Sequence, residues 1–202
     1  LPITAEDYRI YRMESGASID AFKGKATASA QSDELRDKTT KIGANLHVDL
    51  FWIKGSKIKN PFLILKDEAT GYVMIIDLMS KNTEALLRGI KLGVVHMKSY
   101  NHRVRCIISD SEANFKSTEP FLNDIKITLD LRAPEVHSSL AERGIRSIKD
   151  IARTVINNLQ FRLPMKLLKY LILYVTGIEN SKPNKTSGVV LPRELVQGKK
   201  LH

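Results

Sequence analysis

Apolar and polar positions fall into a clear pattern from about residue 44 onward. Asn45–Trp52 (NLHVDLFW), Pro61–Lys66 (PFLILK) and Tyr72–Leu78 (YVMIIDL) are short runs rich in β-branched and aromatic side chains. Such runs favour strands, and Lys54–Asn60 and Asp67–Gly71 supply turns between them. Three neighbouring strands with short connections predict an antiparallel meander. A helix is predicted over 82–99, where Leu86, Ile90, Val94 and Met97 recur at helical spacing. Ser80 or Asn82 can cap its start, while Gly89 and Gly93 weaken it. Val104–Ser109 and Ile125–Leu131 read as a fourth and a fifth strand, with a short helix over 117–123 between them. A strand, a crossover helix and another strand imply at least one parallel pair.

A long helix follows over 138–159, with Ile148, Ile151, Ala152, Val155 and Leu159 as its apolar stripe. Pro164 interrupts, and 165–174 begins another helix. A polar loop over 179–188 leads to a last short helix over 192–196, opened by Pro192 and closed by Gly198. The fold class is therefore α/β, a five-stranded mixed sheet flanked by helices on both faces. Three segments follow: an arm over 1–43 with a helical patch at 3–13 and a polar stretch from 15 to 40; a core over 44–178; and a terminal loop and helix over 179–202.

Composition narrows the function classes. The chain has 202 residues, 43% of them hydrophobic, enough for one well-packed domain with extensions. No apolar run approaches the roughly 18 residues of a membrane span. The first residues lack the basic and apolar parts of a signal peptide, and the absence of an initiator Met suggests a fragment or a processed chain. One cysteine, Cys106, excludes an internal disulfide framework and a CxxC zinc pair, and fits a reducing, intracellular setting. The net charge of +10 favours a polyanionic partner.

Three acidic residues are candidates for chemistry. Asp49 lies inside the first strand, Asp110 directly after the apolar fourth strand, and Glu142 in the first turns of the long helix. An Asp inside a strand is unfavourable and asks for a reason. Carboxylates brought together repel one another unless cations neutralise them. Mg²⁺ (or Mn²⁺) takes a few carboxylates, several waters and phosphate oxygens. Two such ions about 4 Å apart can activate an attacking oxygen and stabilise a leaving one, as phosphodiester transfer requires. On spacing alone, Glu112, Glu119 and Glu135 are alternatives.

The flanks of these acids carry a resemblance. HVDLFWIKG, PFLILKDEATGYVMIIDL and RCIISDSEANF resemble the core of retroviral and retrotransposon integrases, with the family's "(H)VDL", "D-x-x-(S/T)-(G/R)-(Y/F)" and "SDxxxxF" elements at His47–Leu50, Asp67–Tyr72 and Ser109–Phe115. HSSLAERGIRSIKDIAR resembles the helix of the family's third carboxylate, where Glu is followed by Arg and a basic amphipathic run. SGVVLPRELVQGKKL resembles the close of copia-type cores, and AFKGKATASAQ resembles the "LKGKT" element ahead of some of them. The resemblance covers about Phe22 to Leu201. It implies an RNase H-like fold, with Asp49 and Asp110 on adjacent central strands and Glu142 reaching in from its helix, each a ligand to one or both of two Mg²⁺ ions. Two departures stand out. The Asp110–Glu142 interval is slightly short, and the loop before Ser139 lacks the usual Gly-rich opening.

Glu142, Arg146 and Lys149 lie at i, i+4 and i+7, on one helical face, with Arg143 to one side. The resemblance implies that Arg143, Arg146 and Lys149 hold a DNA end, with Asn114 and His137 as further contacts. Read as residues, the same run is a solvated face with a Glu–Arg pair worth roughly 0.2–0.5 kcal/mol. His47 shares a strand face with Asp49 and is expected in packing or at the surface rather than at the site; Cys106 and Trp52 are expected in the core, and 165–174 in packing or a subunit interface. The family's His₂Cys₂ zinc module is not in this sequence and is expected upstream. The expected protein is thus a copia-like retrotransposon integrase core, trimming and joining DNA ends in the nucleus. Its partners would be the element's own DNA ends, target DNA and further copies of itself, with no membrane. A nuclease of the same fold and an inactive DNA-binding relative are the rival readings.

Overall fold

A computed structural model of the chain describes residues 40–53, 61–110, 113–132 and 139–199. The arm before residue 40, the 54–60 turn, Glu112, Glu135 and His137 lie outside them. Five strands form one sheet: β1 (Asn45–Phe51), β2 (Phe62–Asp67), β3 (Val73–Asp77), β4 (Cys106–Asp110) and β5 (Thr128–Arg132), in the order β3-β2-β1-β4-β5. β1, β2 and β3 make the expected antiparallel meander. β4 pairs parallel to β1, and β5 parallel to β4, as the crossover through a helix requires.

Among the described residues the α-helices are α1 (Thr83–Ser99), α2 (Ala113–Lys116), α3 (Glu119–Asp124), α4 (Ser139–Asn158), α5 (Leu168–Asn180) and α6 (Pro192–Gln197). Strand side chains alternate between faces, and the core divides accordingly. Leu46, Val48, Leu50, Leu63, Leu65 and Ile107 face α1 and its Leu86, Ile90 and Met97. Phe51, Phe62, Ile64, Val73 and Ile75 face α4 and α5, meeting Ala141, Ile145, Ile148, Ala152, Leu171, Ile172 and Val175. Helices therefore cover both faces, as the patterning predicts.

Asn82, not Ser80, caps α1: its side-chain oxygen accepts the Ala85 N–H at 2.9 Å. Gly89 and Gly93 have a use that propensity hides. A Cβ at Gly89 would stand 2.8 Å from Leu78 Cδ2, and one at Gly93 2.6 Å from Leu65 Cδ2. The glycines let α1 lie directly on the sheet. The Asp67–Tyr72 turn is built round a buried carboxylate. Asp67 accepts the Gly43 N–H at 2.8 Å, the Thr70 N–H at 3.0 Å and the Thr70 hydroxyl at 2.7 Å. Burial pushes its carboxyl above the usual range, and these hydrogen bonds pull it back.

Several expectations need correction. Asp110 is the last residue of β4, not the residue after the strand, because pairing with β5 continues to Asp110 opposite Arg132. Two short helices, not one, occupy the β4–β5 crossover. The helix expected to begin at Met165 starts as a 3₁₀ turn and runs on as α5 to Asn180, two residues into the expected loop. Asn180 explains the extension. Its side chain accepts the Val73 N–H at 2.8 Å and donates to the Val73 carbonyl at 2.7 Å, closing part of the free edge of β3. Trp52 is not in the core; it is exposed, and Cys106 is half-buried. The terminal segment is tied to the core: Val196 is buried, and His102 Nε2 lies 2.8 Å from the Val196 carbonyl.

Candidate active site

The parallel pair β1–β4 sets the site. Its ladder runs Asn45↔Cys106, Leu46↔Ile107, His47↔Ile108. Two residues further along each strand are Asp49 and Asp110. The pairing ends at His47↔Ile108, and the two-residue period puts both carboxylates on the α4 side of these adjacent strands. They stand toward the carboxyl ends of parallel strands, where open α/β sheets place their ligand sites. Both are half-buried. One Asp49 oxygen accepts the Leu50 N–H at 2.7 Å, and the Ser109 hydroxyl lies 3.3 Å from Asp110 Oδ1. The β4–β5 register sets Arg132 beside Asp110 on the same face.

Glu142 belongs to a different element. It lies in the first turn of α4, with its side chain about half exposed, and Arg146 Nη2 meets its Oε1 at 3.3 Å. The i, i+4 spacing from the sequence makes that contact, as it does on any solvated helix. Among the described residues, no three His, Cys, Asp or Glu side chains are grouped closely enough to hold a metal ion. The structure thus places Asp49 and Asp110 on one face of adjacent strands and leaves Glu142 engaged with Arg146. The donor chemistry suits a hard cation: two partly solvated carboxylates on adjacent strands, and a third on a helix that rests on β1 and β2.

The basic side chains fall at the rim. Arg143 and Arg146 are exposed on α4, and Lys149 is half-buried, with Nζ 5.5 Å from the centre of the Phe51 ring. Phe51 follows Asp49 by two residues on the same strand face, so this contact fixes Lys149 toward the β1 end of the site. Asn114 lies in α2, half-buried, just past the end of β4. His47 is buried against Glu68, Nε2 to Oε1 3.5 Å, and acts in packing as expected.

Sequence reasoning missed Arg132, Ser109 and Lys66. Arg132 could have been found only from the β4–β5 register. Ser109 carries a signal in the sequence, since it adjoins Asp110. Lys66 faces α4 from β2, and burial lowers its ammonium below the ordinary lysine range; Glu179 raises it and Arg143 lowers it further.

No family model and no curated protein sequence matches the chain. Solved structures do. A chain of the simian T-cell lymphotropic virus intasome, solved in complex with a PP2A regulatory subunit, superposes at TM-score 0.66 with 12% identity, over 82% of this chain and 58% of that one. The present chain thus spans just over half of that relative's length. The HTLV-2 integrase catalytic core domain, solved with magnesium in a dimeric form, gives TM-score 0.61 at 14% identity, over 79% of this chain and 98% of that one. Its trimeric form, also with magnesium, gives 0.59 at 16%, over 74% and 94%. At such identities the likeness is one of fold, and it is the RNase H-like fold of integrase catalytic cores.

Proposed function

We propose that the chain is the catalytic core of a copia-like retrotransposon integrase, a metal-dependent polynucleotidyl transferase. One observation supports the reading most: Asp49 and Asp110 fall on the same face of two adjacent parallel strands, within a fold like that of integrase catalytic cores. The flanking sequence elements and the basic edge of α4 agree with it. Asp49, Asp110 and Glu142 would hold two Mg²⁺ or Mn²⁺ ions, for which Glu142 must leave Arg146. When bound, such ions supply Lewis-acid activation of the entering oxygen and charge stabilisation of the departing one.

The protein's own groups would bind, orient and neutralise. Arg143, Arg146 and Lys149 would hold the phosphates of a DNA end along α4, with Asn114 and His137 as further contacts; phosphate contacts of this kind position DNA and carry little sequence information. In end processing, a water oxygen attacks a phosphorus near the 3′ end, and the 3′ oxygen of the nucleotide before it leaves as a hydroxyl. In strand transfer, that 3′-hydroxyl attacks a target phosphodiester, a new P–O bond forms, and the target's own 3′ oxygen departs with a proton. Target DNA in the nucleus and further copies of the chain complete the proposed partners. The exposed α5 stripe of Lys169, Tyr170, Leu173 and Tyr174 supports self-association. Among the described residues, no helix is long and apolar enough to cross a membrane.

The test is joining of a labelled, pre-cut DNA end to target DNA with Mg²⁺ or Mn²⁺, beside Asp110→Asn. Joined products that vanish in the variant support a transferase. Metal-dependent nicking without joining supports a nuclease of the same fold. Binding of DNA that ignores divalent ions, with neither product, supports an inactive DNA-binding relative.

A further inference from the structure

α4 approaches the sheet through small residues. Ala141, Gly144, Ile145, Ile148 and Ala152 form its buried face. At 100° per residue, Gly144 lies on the β2 flank of that face, and Glu142 and Lys149 lie on the opposite flank, toward β1 and β4. The contact at Gly144 is unusually close. A Cβ there would meet Ile64 Cδ1 at 2.9 Å, Lys66 Cδ at 3.1 Å and Lys66 Nζ at 3.6 Å. Ile64 has no solvent exposure and packs among Phe51, Phe62 and Ile148, so it cannot swing aside cheaply. Ile64 is also the direct cross-strand partner of Asp49. This close approach of α4 to the sheet is therefore one residue pair away from the first candidate carboxylate, and two residues along the helix from the third.

From this geometry we propose that Gly144 is a positioning residue for the metal site: by resting on Ile64 it sets the height and roll of α4, and so the reach of Glu142 toward Asp49 and Asp110. The inference rests on the metal-dependent reading above. A side chain at 144 wedges the β2 flank of α4 off the sheet and rolls the helix about its buried face. That motion displaces the Glu142 flank, which lies across the helix axis from the wedge. The requirement is for the absence of a Cβ facing Ile64 Cδ1, not for backbone freedom, since Gly144 sits within the helix, where alanine is the better helix former.

The lever suggests a compensating pair. Ile64→Val deletes Cδ1, the atom that the new Cβ would meet. The measurement is manganese affinity of the full chain, read from the loss of the free-ion paramagnetic signal on titration, with a thermal melt of each variant. Gly144→Ala is expected to weaken binding by about tenfold, the order of effect that strain from an overpacked contact produces. Ile64→Val alone leaves affinity within about twofold, because one methyl group is lost and no wedge is added. The double variant returns to within about threefold of the wild type as the wedge is relieved. Gly144→Ala binding manganese like the wild type would overturn the proposal, and so would weakening that Ile64→Val does not relieve. If Gly144→Ala melts below the assay temperature, Ile64→Val serves as the host for comparing alanine and valine at 144. Valine must then weaken binding beyond alanine, and equal affinities overturn the proposal. A wild-type chain that takes up no manganese sinks the functional reading and this inference with it, whereas wild-type binding that Gly144→Ala leaves unchanged sinks the inference alone.

Discussion

A single row of side chains crosses the α4 side of the sheet, and its two halves are opposite in character. On the meander side the row is Ile75 and Ile64, paired across β3 and β2 and buried under α4 and α5. On the parallel side it continues through Asp49, Asp110 and Arg132, on β1, β4 and β5. The change falls at β1, the one strand that pairs antiparallel on one edge and parallel on the other. The apolar half gains from leaving water, at about 25 cal/mol for each Å² of apolar surface removed. The charged half gains nothing from crowding two carboxylates, which repel one another in the absence of a cation. The proposed metal site would give such a pair a use other than stability.

The largest expected effect breaks the charged half alone. Asp110→Asn removes one negative charge and keeps the shape. Metal-supported charge stabilisation is worth several kcal/mol, so joining falls by about three orders of magnitude or more. The melting temperature, read in the same preparation without divalent ions, holds or rises, because the repulsion with Asp49 is relieved. A large fall in stability instead would mean that Asp110 serves the fold. Ile148→Ala makes the converse cut. Ile148 is fully buried against the apolar half, and its truncation costs about 2–5 kcal/mol in denaturant unfolding. Metal affinity of the folded fraction should change far less than with Asp110→Asn.

Lys66 tests the boundary between the halves. It is an ammonium on the apolar side, with its acidity raised first by burial. Its folded pKa lies below the unfolded value, so the unfolded chain binds more protons in the window between them. Stability therefore rises with pH through that window, toward the ordinary lysine value of 10.5, and falls again as pH drops through the folded pKa. Lys66→Met removes this rise and makes the protein more stable at neutral pH. Urea unfolding at neutral and alkaline pH is the check, and a variant with the wild-type pH slope would show that Lys66 is solvated in the folded state.

The apolar half was legible in the sequence and the charged half less so, for a physical reason. Runs such as PFLILK and YVMIIDL announce their own strands, because burial acts on each residue separately and leaves a period that can be counted. Asp49 and Asp110 were legible as exceptions to those runs. Their place on adjacent strands came only from the family resemblance, since it depends on the β1–β4 register, which no local pattern encodes. Arg132 went unnoticed for the same reason. Gly89, Gly93 and Gly144 look like weaknesses in helices until the facing side chains Leu78, Leu65 and Ile64 are known. Trp52 was misassigned to the core because size and hydrophobicity are visible in sequence while its position at the strand end is not.

The smallest effect concerns the pair that joins α4 to neither half. Arg146 and Glu142 are both more than half exposed, and water and salt screen their contact. Arg146→Ala should therefore cost at most about 0.5 kcal/mol of stability. Its consequences differ with what the arginine does. If it only decorates the helix, DNA affinity is unchanged at every ionic strength. If it meets a phosphate, affinity falls similarly for unrelated sequences, and the slope of log affinity against log salt drops by about one. Removal of Arg146 also frees Glu142, so manganese affinity without DNA should hold or increase slightly while DNA affinity falls. Opposite signs in the two titrations would separate a residue that guards the third carboxylate from one that merely pairs with it.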